Sequence, residues 1–148
     1  MSKIISSGFV VKGKDGRYLI GRADGHSEPY CFTVFKGGTE ANENLMDTAI
    51  RELKEETGID IANDHRLNRN ISTNPIFSYS LRHKDVFIYM LTDIEGVLDS
   101  FQFTCSSFWA ENRPEISDYK WFTLEEMRQN IFPSQRGLLE KLQRMDIK

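Results

Sequence analysis

The sequence predicts an α/β domain in which a central mixed sheet packs against helices. Strand-like segments lie on both sides of one clear amphipathic helix, and helical patterns return at the C-terminal end. No repeat, low-complexity tract or Pro/Ser-rich linker divides the 148 residues. A chain of this length can bury one hydrophobic core, so we expect a single domain over residues 1–148.

The segment before the central helix predicts a hairpin and a third strand. Residues 4–11 and 18–21 are rich in β-branched and aromatic residues, and Lys-Asp-Gly at 14–16 is a turn signal. Residues 30–35 are again aromatic and β-branched, which favours a strand. The Lys-Gly-Gly sequence at 36–38 is expected to interrupt the backbone pattern there.

The clearest element is a helix over residues 42–57. Either Asn42 or Asn44 can cap its start, and Gly58 stands where a C-terminal glycine is favoured. The apolar residues fall at helical spacing and predict one buried stripe: Met46, Ala49, Ile50 and Leu53.

Beyond this helix the pattern predicts strands followed by helices. The strands are expected at 71–81, 86–92, 105–110 and 119–122, and the helices at 124–130 and 134–145.

Composition narrows the classes of partner. The net charge of −3 and a pI near 5.6 do not favour long nucleic acids, although a small anionic ligand can bind with the help of cations. No apolar run reaches the ~18 residues of a membrane span, and no signal-peptide region is visible. The two cysteines, Cys31 and Cys105, are too few for a disulfide framework, so we expect a cytoplasmic protein. We expect it to be a monomer or a homodimer.

Three carboxylates are concentrated on one side of the central helix. Glu52, Glu55 and Glu56 stand at i, i+3 and i+4, so they repel one another unless something neutralises them. Oxygen ligands of this kind suit Mg²⁺, which binds through a few carboxylates and substrate phosphates. Gly37 and Gly38 precede the helix and allow the backbone to approach a ligand closely.

The spacing of these residues is more specific than the cluster alone. It reads Gly37-x5-Glu43-x7-Arg51-Glu52-Leu53-x-Glu55-Glu56-x-Gly58-Ile59. This resembles the Nudix box, GX5EX7REUXEEXGU with U aliphatic, and every defined position matches. The resemblance implies an α/β/α sandwich with a central mixed sheet, and a metal-dependent hydrolase of diphosphate linkages in nucleoside diphosphate derivatives.

The resemblance also implies roles for individual residues. Glu55 and Glu56 correspond to the main metal ligands, and Glu52 to a third ligand or the catalytic base. Lys36 corresponds to the position that offers a backbone carbonyl to the metal, which is expected to be Mg²⁺ with Mn²⁺ as a substitute. Glu43 and Arg51 resemble the ion pair that joins loop to helix.

Outside the box, Glu115 stands six residues before Trp121, as in the nucleotide-sanitising branch, where an extra glutamate lies near the metals. It is the alternative to Glu52 as the base that takes a proton from the attacking water. Phe132-Pro133 also resembles that branch, with Ser134, Gln135 and Arg136 where base or phosphate contacts arise.

We expect the substrate to be a small-molecule nucleotide. The Lys36-Gly37 sequence favours ADP-ribose, dinucleoside polyphosphates or FAD-like dinucleotides. The alternative is a nucleoside triphosphate pyrophosphohydrolase. The net charge of −3 argues against removal of an RNA cap. The complete Nudix box argues against a catalytically silent nucleotide sensor. Isolated His26, His65 and His83 are expected in loops or on the surface.

Overall fold

The computed structural model describes residues 3–146, which form a mixed sheet with helices on both faces. The predicted α/β class with a central mixed sheet is therefore confirmed. The strands are β1 (Ile4–Lys12), β2 (Tyr18–Ala23), β3 (Phe32–Thr33), β4 (Phe35–Gly38), β5 (Phe77–Leu81), β6 (Lys84–Thr92), β7 (Phe108–Ala110), β8 (Arg113–Pro114) and β9 (Ile116–Phe122). The helices are α1 (Leu45–Thr57), α2 (His65–Asn68), α3 (Leu124–Asn130) and α4 (Gly137–Asp146).

Strand β1 lies at the centre of the sheet. It pairs in parallel with β6 from Ile4 opposite Lys84 to Lys12 opposite Thr92, and antiparallel with β2 and β4. The order through the sheet is β3-β2-β1-β6-β5, with β9 added beside β2. Strands β7 and β8 form a separate small hairpin just before β9.

The alternation of side chains along β1 divides the core into two clusters. Phe9 and Val11 pack with Leu53 of α1 on one face, and Val10 packs with Leu139 of α4 on the other. Successive side chains of a strand point to opposite faces of the sheet, so the middle strand contributes to both clusters. A strand buried on both faces in this way is typical of a layered α/β domain.

Capping residues determine where helix α1 begins and ends. Asn44 is its N-cap and accepts the Asp47 N–H at 2.8 Å, whereas Asn42 lies outside the helix with φ at 65°. Gly58 ends the helix in the left-handed conformation, with φ at 85°, and its N–H donates to the Lys54 carbonyl at 2.8 Å. The expected helix is present, and the cap is the second of the two candidates.

Several expected element boundaries differ from the structure. Helix α1 begins at Leu45, the strands expected at 71–81 and 105–110 begin only at Phe77 and Phe108, and the strand expected at 119–122 begins already at Ile116. Residues 36–38 do not interrupt the strand pattern, because β4 runs through both glycines and pairs with β1 from Phe9 opposite Phe35 to Ser6 opposite Gly38. The C-terminal helix is divided into a 3-10 turn at Pro133–Gln135 and α4. Within residues 3–146, no helix is long and apolar enough to cross a membrane.

Candidate active site

Two carboxylates of α1 are buried against β4. Glu52 and Glu56 are only 7% and 4% exposed, whereas Glu55 is half-buried. The backbone of Gly37 lies directly against Glu52, since a Cβ at this position would stand 2.1 Å from the Glu52 carboxyl carbon. Two of the three carboxylates on this side of the helix are therefore packed inside the protein, and a glycine in β4 makes room for Glu52.

Backbone contacts hold Glu56 from both ends. Its carboxylate accepts the Lys36 N–H at 3.1 Å, and its carbonyl accepts a hydrogen bond from the Tyr119 hydroxyl of β9. Burial raises the pKa of Glu56 well above its ordinary value, with the Glu52 carboxylate adding to the effect. Such a group stays ionised most readily when a cation lies beside it.

Arg51 joins the loop after β4 to the helix. Its guanidinium donates from Nε and Nη2 to the two carboxylate oxygens of Glu43, at 2.8 and 2.9 Å, and from Nη2 to the Gly38 carbonyl at 2.8 Å. The hydrogen bonds from Arg51 lower the pKa of Glu43 to about 2. This fork-on-fork geometry is the strong form of a charge-assisted pair, as expected for the Glu43–Arg51 ion pair.

The same guanidinium reaches the other carboxylates of α1. Arg51 Nη1 lies 2.8 Å from Glu52 Oε2 and 3.2 Å from Glu55 Oε1. Burial still raises the pKa of Glu52, and the neighbouring Glu55 charge adds to the rise, so Arg51 offsets only part of the repulsion. Glu52 and Glu55 are thus held on one side of the helix and Glu56 on another.

A narrow cleft of about 190 Å³ opens beside these carboxylates. Of the predicted site residues, Lys36, Glu56 and Glu115 line this cleft, whereas Glu52 and Glu55 do not. The structure thus brings Glu115, which stands just before β9, beside Glu56. Burial lowers the pKa of Lys36, and the charge of Lys84 adds to that, while Glu56, Glu52 and Glu115 act in the opposite direction. The remaining lining residues are Ala23, His26, Thr33, Val34, Ile116 and Phe132.

The donor atoms suit a hard divalent cation. Glu52 and Glu56 lie against the Lys36–Gly37 backbone of β4, and Glu55 stands on the same helix. Carboxylate and carbonyl oxygens of this kind bind Mg²⁺ or Mn²⁺. Within residues 3–146, no three acidic, histidine or cysteine side chains already converge as a metal cluster. The reason is visible in the hydrogen bonds, because Glu52 and Glu55 turn to Arg51 while Glu56 turns to the Lys36 amide.

Some residues at the site carry no sequence signal. His26 was expected in a loop or on the surface, and it is an exposed loop residue, but it also lines the cleft and its ring lies 5.0 Å from that of Phe132. Tyr119 supports α1 from a strand that is distant in sequence. Neither residue has a spacing relative to the box that could have identified it.

In the corner after α3, the side chain of Gln135 contacts the sheet of the protein itself. Gln135 is 1% exposed, and its amide accepts the Val34 N–H at 3.1 Å and donates to Thr33 Oγ1 at 2.8 Å. Its polar atoms are therefore engaged with the sheet. Arg136 lies on the surface side of this corner, with its guanidinium 4.4 Å from the centre of the Tyr30 ring.

Comparison with known proteins gives a consistent family assignment. The model of the NUDIX domain matches residues 3–142. An RNA pyrophosphohydrolase from Caulobacter vibrioides is 28% identical to this chain over 144 residues, which is 90% of this chain and 79% of that protein.

Solved structures share the fold at low sequence identity. The MutT protein from Methanosarcina mazei superimposes with a TM-score of 0.67 at 21% identity, covering 99% of this chain and 97% of its own. An Ap4A hydrolase from C. elegans superimposes with a TM-score of 0.66 at 20% identity, covering 96% of each chain.

Proposed function

Because this chain belongs to the Nudix family and is a hydrolase of pyrophosphate bonds in nucleotide derivatives, we propose that its substrate is a small nucleotide with groups on both sides of the diphosphate. ADP-ribose, dinucleoside polyphosphates and FAD-like dinucleotides are the substrates of this kind. The Lys36-Gly37 sequence favours these substrates, and the cleft lined by Lys36, Glu56 and Glu115 is where their diphosphate would lie.

Mg²⁺ is the cation we propose for this site, with Mn²⁺ as a substitute. Glu52, Glu55, Glu56 and the Lys36 carbonyl would hold it after the carboxylates turn away from Arg51 and the Lys36 amide. When bound, it would neutralise charge on the diphosphate oxygens and lower the pKa of a water molecule.

The side chains of the protein supply positioning and proton transfer. Arg51 keeps Glu52 and Glu55 on the same side of α1, and the Tyr119 hydroxyl holds the last turn of the helix at Glu56. Glu52 or Glu115 accepts the proton of the attacking water. Lys36 lines the same cleft, where a positive charge on its side chain would attract the phosphates.

A second candidate is supported by the relative at 28% identity, whose name is RNA pyrophosphohydrolase. Its substrate would place an RNA chain across the surface of this protein. The net charge of −3 argues against extended phosphate contacts, so we rank it second. A nucleoside triphosphate pyrophosphohydrolase is the remaining enzymatic alternative, and a silent nucleotide sensor the non-enzymatic one.

The test is a substrate screen with the purified protein in Mg²⁺. ADP-ribose, diadenosine polyphosphates, FAD, dNTPs and a 5′-triphosphorylated RNA oligonucleotide are incubated separately, and the products are separated by chromatography. Cleavage of the two-sided nucleotides to mononucleotides supports the proposal. Pyrophosphate release from dNTPs or from RNA moves the assignment to the corresponding alternative, and full activity in excess EDTA contradicts the metal site.

Glu56→Gln is the variant that tests the site itself. We expect kcat to fall by about two orders of magnitude or more, because a neutral amide cannot replace a carboxylate at a metal site of this kind. Glu140→Gln on the exposed face of α4 is the matched control and keeps wild-type turnover. A folded Glu56→Gln protein with wild-type kcat would remove Glu56 from the site.

A further inference from the structure

A second hollow lies beside the cleft at Glu56. Its volume is about 410 Å³, and its lining includes the exposed indole of Trp109 on the β7–β8 hairpin. Ala23, His26 and Glu115 line both spaces, so the hollow at Trp109 adjoins the cleft at Glu56. A group attached to a diphosphate at Glu56 is therefore close enough to reach the hollow.

The Trp109 ring is fixed in place although it is 53% exposed. Its Nε1–H donates to Asp24 Oδ2 at 2.8 Å, and Arg113 Nε donates to the same oxygen at 2.8 Å. The Arg113 guanidinium lies 4.8 Å from the centre of the indole ring. An ordered indole that is half exposed beside this guanidinium offers its remaining surface to a flat ligand at little further cost in conformational entropy.

Backbone contacts join this hairpin to the catalytic side of the fold. The Asp24 N–H donates to the Glu115 carbonyl at 2.9 Å, and the Glu115 N–H donates to the Ser107 carbonyl at 2.8 Å. The position of Trp109 relative to Glu115 is therefore set by hydrogen bonds and not by a free loop. Phe108 is its neighbour on the same hairpin and is equally exposed, at 56%, but it does not line the hollow.

We propose that Trp109 is the stacking surface for the nucleobase of the substrate, which identifies a specificity-determining residue and rests on the proposed function. The hollow holds the nucleoside while the diphosphate lies at Glu56. Stacking on an aromatic ring accepts every base, because each base has a π-face. The enzyme should therefore distinguish nucleotides from sugar phosphates without a base, and distinguish one base from another only weakly.

The experiment measures binding of AMP and of ribose 5-phosphate by isothermal titration calorimetry, with Mg²⁺ present. The proteins are the wild type, Trp109→Ala, Trp109→Phe and Phe108→Ala, each checked for folding by circular dichroism. We expect Trp109→Ala to weaken AMP about tenfold and to leave ribose 5-phosphate unchanged. Trp109→Phe should keep most of the AMP affinity, and Phe108→Ala all of it.

The outcomes separate this inference from the proposed function, because neither probe requires turnover. If the substrate screen finds no hydrolysis but AMP binding still depends on Trp109, the proposed function fails and the base site remains. An unchanged AMP affinity in folded Trp109→Ala overturns the inference, whatever the screen shows. Wild-type protein that binds AMP no better than ribose 5-phosphate overturns it as well.

Discussion

At the scale of single residues, the Arg51 guanidinium contacts four glutamates. Glu40 lies 3.6 Å from its Nε, and closer contacts join it to Glu43, Glu52 and Glu55. The motif predicted its pairing with Glu43, and the structure adds contacts to two of the expected metal ligands. One cation thus holds together a loop and a helix face whose carboxylates would otherwise repel one another.

The pKa of Glu43 in the folded protein, about 2, lies below its ordinary value of 4.5. A depressed pKa contributes stability that is present above 4.5 and is lost as the pH falls towards about 2. Glu43→Gln should therefore lower the free energy of unfolding near neutral pH, and the difference from wild type should shrink as the pH falls. Urea denaturation at several pH values measures this difference.

Glu40→Gln is the control, because Glu40 is 68% exposed and lies at the edge of the Arg51 contacts. It should change the free energy of unfolding by less than about 1 kcal/mol at any pH. If the difference in unfolding free energy between Glu43→Gln and wild type stays constant from neutral to acidic pH, the ion pair with Arg51 is not the cause of the lost stability.

At the scale of secondary-structure elements, the contact between β4 and α1 positions the site. The strand pairs with β1 along residues 35–38, and its Lys36–Gly37 backbone touches both buried carboxylates of the helix. The two successive glycines of β4 have different surroundings. A Cβ at Gly37 would overlap the Glu52 carboxyl group, whereas a Cβ at Gly38 would meet its nearest atom, on Ile4, at 3.8 Å.

Gly37→Ala and Gly38→Ala form a matched pair that tests this contact. The added methyl at 37 should displace the Glu52 side chain from β4 and lower kcat by about tenfold or more, because small displacements at a site of this kind are costly. The methyl at 38 fits in ordinary van der Waals contact and should leave kcat near the wild-type value. Steady-state kinetics on the best substrate from the screen measures both, and equal kcat values would contradict the close approach.

At the scale of the whole molecule, the two faces of the sheet pack against different helices. One face packs α1 and carries the carboxylates, and the other packs α3 and α4 around a core that includes Leu138 and Leu142. Gln135 joins the helical corner to the sheet through Thr33 and Val34. This side chain is buried and polar, so its hydrogen bonds must be kept for the corner to close.

Gln135→Ala should therefore lower the global stability of the protein. Removal of the amide leaves the Val34 N–H without its acceptor in the core, which costs about 2 kcal/mol of unfolding free energy. Thermal and urea denaturation measure the loss, and kcat at a temperature where the variant is folded should stay close to wild type. Gln143→Ala on the exposed side of α4 is the control and should leave the melting temperature unchanged.

The sequence by itself determined the class of fold and the family. The spacing from Gly37 to Ile59 is local, and the helix that carries it has its own cap, its own C-terminal glycine and its own apolar stripe. Helical periodicity and capping act over a few residues, so they can be recognised without knowledge of the rest of the chain.

Only the tertiary structure decided what surrounds that helix. The burial of Glu52 and Glu56 against β4 and the position of Trp109 depend on the pairing of β1 with β4 and of β2 with β9. The same pairing brings Glu115 beside Glu56, in the neighbourhood that its spacing to Trp121 suggested. Glu115 and Glu56 are far apart in sequence, and no periodicity connects them. The physical reason is that strand pairing brings distant segments together through backbone hydrogen bonds, whose partners the side-chain pattern does not specify.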